Sequence, residues 1–121
     1  MPRCTPSCAR PRCGCSPGCP EQGTPLHDHG TSSGAFAVVR GTLTERVVAA
    51  GRTGVTDSAH DLDAGRVRHF GPHYVHQVTN TGLQAAVSVH VYTPGLAWMN
   101  RYEIADGALR RTGTERAGVD W

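Results

Sequence analysis

Beyond Cys19 this 121-residue chain has no cysteine, which excludes a disulfide framework or a cysteine-rich zinc site from most of the molecule. A net charge of +2, with no basic run interleaved with aromatic residues, excludes nucleic acid as an expected partner. Long apolar runs are missing too. The longest, Ala35 to Val39 and Val87 to Val91, are strand-length and far short of the roughly 20 residues of a spanning helix, so no membrane is expected. The N-terminus lacks the apolar stretch of a secretory signal, and a cytoplasmic location is the expectation. Strong helix formers are few and no 3.6-residue periodicity is held over a helix length, whereas Gly, Thr and Val abound. The composition fits one small β domain.

All five cysteines, Cys4, Cys8, Cys13, Cys15 and Cys19, crowd into the first nineteen residues with half of the prolines and almost no large apolar side chain. Their spacings do not form paired Cys-x2-Cys units with matched ligands downstream, and their number is odd. A segment so poor in apolar anchors does not offset its ordering entropy. The Pro, Arg, Cys and Gly mixture is what GC-rich coding DNA yields when translated in a wrong frame. Residues 1–22 are therefore expected to be disordered or foreign to the domain, which then spans residues 23–121.

From Gly23 onward, β-prone runs are separated by Gly, Asn and Asp. Strands are expected at Ala35 to Arg40, Thr42 to Ala49, Val67 to Phe70, Tyr74 to Thr79, Gln84 to Thr93, Trp98 to Ala105 and Ala108 to Arg111. Gly51 to Gly65 reads as a polar loop. Asn80-Thr81-Gly82 and Asp106-Gly107 read as turns, since Asn, Asp and Gly tolerate left-handed backbone. Many short antiparallel strands imply a sandwich or barrel.

His27-Asp28-His29 places two imidazoles on one side of a strand and the carboxylate on the other. Neutral imidazole is the commonest ligand for iron, copper, nickel and zinc, so the pair points to a transition metal. On an exposed loop the same triplet is simply two solvated side chains. A further ligand could come from His60, His69, His73, His76 or His90. His76 is preferred because it lies in a β-prone run, while His73 follows Gly71-Pro72 in a turn; His60, His69 and His73 read as solvated. In Val87-Ser88-Val89-His90-Val91-Tyr92 the valines share one face and Ser88, His90 and Tyr92 the other. Either the valines enter the core and the polar trio meets water, or the trio lines a pocket as a relay of hydrogen bonds, which requires burial.

His27-Asp28-His29-Gly30 followed by Gly34 and Gly41 resembles the first cupin motif, and Gly65, His76 and Asn80 resemble the second. The glutamate that many cupins supply as a fourth ligand would fall at Gly34, which leaves a three-histidine site. With Thr24 to Gly30 and Ser88 to Pro94, the chain is similar to the bacterial cysteine dioxygenase type of thiol dioxygenase from about Gly23 to Trp121. The resemblance implies an all-β cupin, a jelly-roll barrel left incomplete because strands that precede the first histidine pair in that family are missing. It implies iron(II) held by His27, His29 and His76, with Tyr92 as the active-site phenol and His90 and Ser88 behind it. The family's crosslinking cysteine, where present, would sit at Gly34, so no thioether to Tyr92 is expected.

The implied reaction is dioxygenation of the thiol of L-cysteine to cysteine sulfinic acid, with a small-molecule thiol and dioxygen as partners and a monomer as the expected state. The alternatives are 3-mercaptopropionate dioxygenation and a catalytically impaired, metal-binding cupin remnant. The family reads the substrate carboxylate through an arginine or a glutamine upstream of the resemblance, so the substrate stays open. Where the first motif has glycine this chain has Glu21, which puts the join with the foreign segment near residues 21–23. Losing strands from a fold with a net stability of about 5–15 kcal/mol implies an exposed edge and poor activity.

Overall fold

The computed structural model describes residues 3–9 and 22–120, with side chains from Gly23 onward. Every regular element among the described residues is a β-strand: β1 (Arg3–Ala9), β2 (Gln22–Gly23), β3 (His27–Asp28), β4 (Ser33–Arg40), β5 (Thr42–Gly51), β6 (Gly54–Asp63), β7 (Val67–Phe70), β8 (Val75–Asn80), β9 (Ala86–Thr93), β10 (Trp98–Ala105) and β11 (Ala108–Arg116). They form two antiparallel sheets. One has the order β1-β9-β4-β7; the other runs β11-β10-β3-β8-β5-β6, with β2 beside β8. No helix among the described residues is long and apolar enough to cross a membrane.

The main core lies between the sheets. Phe36 and Val38 of β4, Phe70 of β7, and Ala86 and Tyr92 of β9 meet Leu43 of β5, Leu62 of β6 and Val78 of β8. Val75 and His76, adjacent in β8 and both buried, face opposite sides of the larger sheet, and Val75 joins Leu26 and Val48 in a second cluster. β3 is only two residues long, yet it is held firmly between β8 and β10. Its Asp28 carboxylate accepts hydrogen bonds from the Gly30 amide (2.9 Å), Asn100 Nδ2 (2.9 Å) and the Tyr102 hydroxyl (2.7 Å). Asn100 Oδ1 accepts in turn from Thr114 Oγ1 of β11 at 2.7 Å. Satisfying this buried carboxylate ties β3, β10 and β11 together.

Most of the expected strands are present, and Trp98–Ala105 has the expected bounds. The stretch expected as a polar loop, Gly51 to Gly65, instead contains strand β6. Its polarity reflects an edge strand with most side chains in water, only Leu62 buried in the main core and Val55 half-buried against the second cluster. Thr42–Asp63, Thr44–Asp61 and Arg46–Asp57 side-chain bonds hold it to β5. β11 also runs on to Arg116, paired with β10 past a register shift at Arg101/Tyr102. Asp106 and Gly107 both take positive φ, 52° and 73°, in the hairpin turn expected there. Most of residues 1–22 lies outside the described residues. Within that segment the backbone of Arg3–Ala9 pairs with the edge of β9, and Gln22 pairs with β8.

Candidate metal centre

β3 and β8 pair so that His27 stands directly opposite His76, and His29, one residue past β3, comes to the same side. The ring centroids are 4.8 Å apart for His27–His29, 4.8 Å for His27–His76 and 5.1 Å for His29–His76. One nitrogen of each ring lies within 4.8 Å of the others, and all three side chains are buried. Hydrogen bonds fix two of the tautomers. The Nδ1–H of His27 donates to the Pro25 carbonyl oxygen (2.8 Å), and that of His76 donates to Glu45 Oε2 (2.8 Å). Neither acceptor carries a proton to give, so Nε2 of both rings offers a lone pair.

His29 is held differently. Its ring stacks on Phe70 (4.8 Å, 25°) and leans on Tyr92 (4.9 Å), and its buried Nδ1 has no hydrogen-bond partner. His27 Nε2 and His29 Nε2 face one another at 3.2 Å. Two lone pairs at that distance repel unless a proton or a cation lies between them. Two nitrogens bound about 2.1 Å from one ion, at angles between octahedral and tetrahedral, are about 3.0–3.4 Å apart, so the spacing fits a chelated transition metal. Without an ion, a neutral His29 carrying its proton on Nε2 donates to His27 Nε2, while a charged imidazolium is disfavoured. Burial, with the neighbouring His76 next in weight, lowers the His27 pKa to about 4, and burial with His27 and His76 lowers that of His29 to about 2.

The inward face of β9 lies beside the cluster. Ser88, His90 and Tyr92 are buried, while Val87, Val89 and Val91 point outward, so the polar trio lines the interior. Ser88 Oγ and His90 Nε2 are hydrogen-bonded at 2.9 Å. The His90 and Tyr92 rings stack at 6.4 Å, but no hydrogen bond joins these two residues, so only the first link of the expected relay is formed. Burial lowers the His90 pKa to about 4 and raises that of the Tyr92 hydroxyl to about 12. At neutral pH Tyr92 is therefore a hydrogen-bond donor.

Gly34 pairs with Tyr92 across β4 and β9. A Cβ there would lie 2.6 Å from both Phe70 Cζ and the Val91 carbonyl oxygen, so the packing leaves no space for a carboxylate or thiol. His60, His69 and His73 are exposed, as their positions in the sequence suggested. Glu45, Phe70, Tyr74 and Arg68 around the cluster are not apparent from motif spacing. Glu45 has one sequence signal: it shares the inward phase of β5 with Leu43. Burial alone would raise its pKa, but hydrogen bonds from His76 and Arg68 outweigh this and hold the carboxyl below its ordinary value. The Tyr74 hydroxyl is pushed up to about 12 by burial and by Glu45.

Among solved structures, oxalate oxidase in complex with the substrate analogue glycolate is similar at a TM-score of 0.55 and 20% identity. The match covers 60% of this chain and 36% of that one, so this chain spans little more than a third of that protein. Peruvianin-I, a cysteine peptidase from Thevetia peruviana latex, is similar at a TM-score of 0.53 and 16% identity, over 60% of this chain and 44% of that one. These likenesses bear on the fold alone, an all-β cupin. A search of curated proteins finds no match. A family model described as cysteine dioxygenase type I matches residues 15–105, the span that holds all three clustered histidines and the β9 trio. On that match the chain belongs to the cysteine dioxygenase type I family.

Proposed function

We propose that this chain, through a domain spanning residues 23–121, is an iron(II)-dependent thiol dioxygenase that converts L-cysteine to cysteine sulfinic acid. The observation that carries this reading is the convergence of three buried imidazoles, without a carboxylate among them, beside a protonated phenol. His27, His29 and His76 would hold the iron. When bound, iron(II) supplies the redox chemistry by which dioxygen adds to a thiolate, both oxygen atoms ending on sulfur.

The chain's own residues account for the rest. Three neutral ligands leave the positive charge of the site undiminished, which favours an anionic thiolate over a neutral thiol. The Tyr92 hydroxyl donates a hydrogen bond toward the substrate, and the ring of His90, fixed by Ser88, packs behind it. Phe70 and Phe36 pack apolar rings against the cluster and His90 on the β4 and β7 side, Phe36 stacking on His90 at 5.0 Å. Gly34, opposite Tyr92, offers no side chain for a crosslink.

The test is iron content together with sulfinate formation by the purified chain, with L-cysteine and 3-mercaptopropionate supplied separately. Product from L-cysteine supports the reading, and product from 3-mercaptopropionate alone reassigns the substrate. Bound iron with no product from either supports the second reading, a catalytically impaired metal-binding cupin. That alternative draws on one observation, the missing hydrogen bond between His90 and Tyr92.

A further inference from the structure

The three clustered histidines have unequal supports. His27 leans on a neutral carbonyl and His29 on no polar group, whereas His76 leans on the carboxylate of Glu45. Glu45 is completely buried and accepts from His76 Nδ1 (2.8 Å), Arg68 Nε (2.9 Å) and the Tyr74 hydroxyl (3.2 Å). A carboxylate with no solvent contact is costly to a fold unless it is fully paired. Both of its oxygens are occupied here, and its counter-charge, Arg68, reaches outward with a side chain 38% exposed. β5 and β8 supply the register: Val47 pairs with His76 and Glu45 with Val78, so Glu45 reaches His76 on the diagonal.

We propose that Glu45 is a positioning residue of the metal centre, fixing the ring of His76 and setting how strongly that imidazole donates, with Arg68 moderating its charge. The inference rests on the reading of His27, His29 and His76 as metal ligands. A carboxylate cannot enter the cluster at Gly34, where Phe70 and the Val91 carbonyl fill the space a side chain would need. Glu45 brings the negative charge one ring further out. From there it strengthens a ligand without occupying a position that substrate needs. Arg68 draws electron density from the same carboxylate, so Arg68 and the metal pull on Glu45 from opposite ends.

The experiment compares the parent chain with E45Q and R68M by cobalt(II) titration, followed through visible absorption, and by the iron(III)/iron(II) midpoint potential of iron-loaded protein. E45Q keeps the shape and removes the charge. It is expected to weaken cobalt(II) binding by about 10–100-fold, the range found for partners of metal-bound histidines, and to raise the midpoint potential. R68M unmasks the carboxylate, and is expected to lower the potential while binding cobalt(II) at least as tightly as the parent. A purely structural role for Glu45 would not produce shifts of opposite sign. E45Q binding within about threefold of the parent, well below the range for such partners, with an unchanged potential, overturns the proposal. So does an R68M potential that is unchanged or raised. Should E45Q fail to fold, the sign of the R68M shift decides. A parent chain that takes up no cobalt(II) removes the metal centre and this inference together, whereas a binding parent matched by its variants removes only the role of Glu45.

Discussion

The seven-stranded sheet carries His27, His76 and Glu45, on β3, β8 and β5, with His29 just past β3, while the four-stranded sheet carries Tyr92, His90, Ser88 and Gly34, on β9 and β4. On the proposed reading, one sheet holds the metal and the other faces the substrate. The two meet through rings: His29 on Phe70 and Tyr92, and Phe36 between His90 and His76. Holding and reacting are therefore separable by mutation, except at the residues that span the gap between the sheets.

Phe36→Ala attacks that gap and should have the largest effect, because it empties a fully buried ring site in contact with both sheets. A loss of about 3–5 kcal/mol in urea unfolding is expected, with metal uptake and turnover falling together. His76→Ala should separate the sheets' functions from one side. On the proposed reading it removes a ligand outright, so cobalt(II) affinity is expected to fall by more than about 100-fold, beyond the range for losing an outer partner alone.

Tyr92→Phe separates them from the other side. Losing a hydrogen bond to a charged group costs about 1.5–3 kcal/mol, so sulfinate formation should drop by about 10–100-fold while metal content stays at the parent level. A parallel loss of metal would mean that the phenol also serves the ligand sheet. Arg46→Ala touches neither function. The Arg46–Asp57 pair between β5 and β6 is more than a third exposed, and its removal should cost no more than about 1 kcal/mol, read as a small shift in the urea midpoint.

Much of this division was legible in the sequence. His-x-His on one strand and His76 in another β-prone run supplied the candidates, because alternation is a local rule, and the cupin resemblance was needed to bring them together. The facing of β9 was not legible. Val87, Val89 and Val91 offered an apolar side that would ordinarily be the core, yet Ser88, His90 and Tyr92 point inward. The deciding fact is the register with β4, which sets Val38, Phe36 and Gly34 opposite Ser88, His90 and Tyr92. No local pattern in β9 encodes that partner. β6 escaped notice for the opposite reason: it is an edge strand whose side chains mostly meet water, so its composition resembles that of a loop. Glu45 was hidden because its partners, His76, Arg68 and Tyr74, lie 23 to 31 residues away in the chain.

The two-residue strand β3 has a consequence for stability measurements. His27, with His29 just past the strand, faces the candidate metal centre and Asp28 serves the β10–β11 side, so the segment cannot be released on one face while remaining ordered on the other. A ligand that binds only the folded arrangement stabilises it by mass action. Metal occupancy should thus appear as protection of one amide, that of Gly30, which donates to Asp28 while its own carbonyl accepts from His73. Hydrogen exchange at Gly30 would slow as metal is added, at a position that carries no ligand atom, and so would report the alignment of the histidine pair from behind.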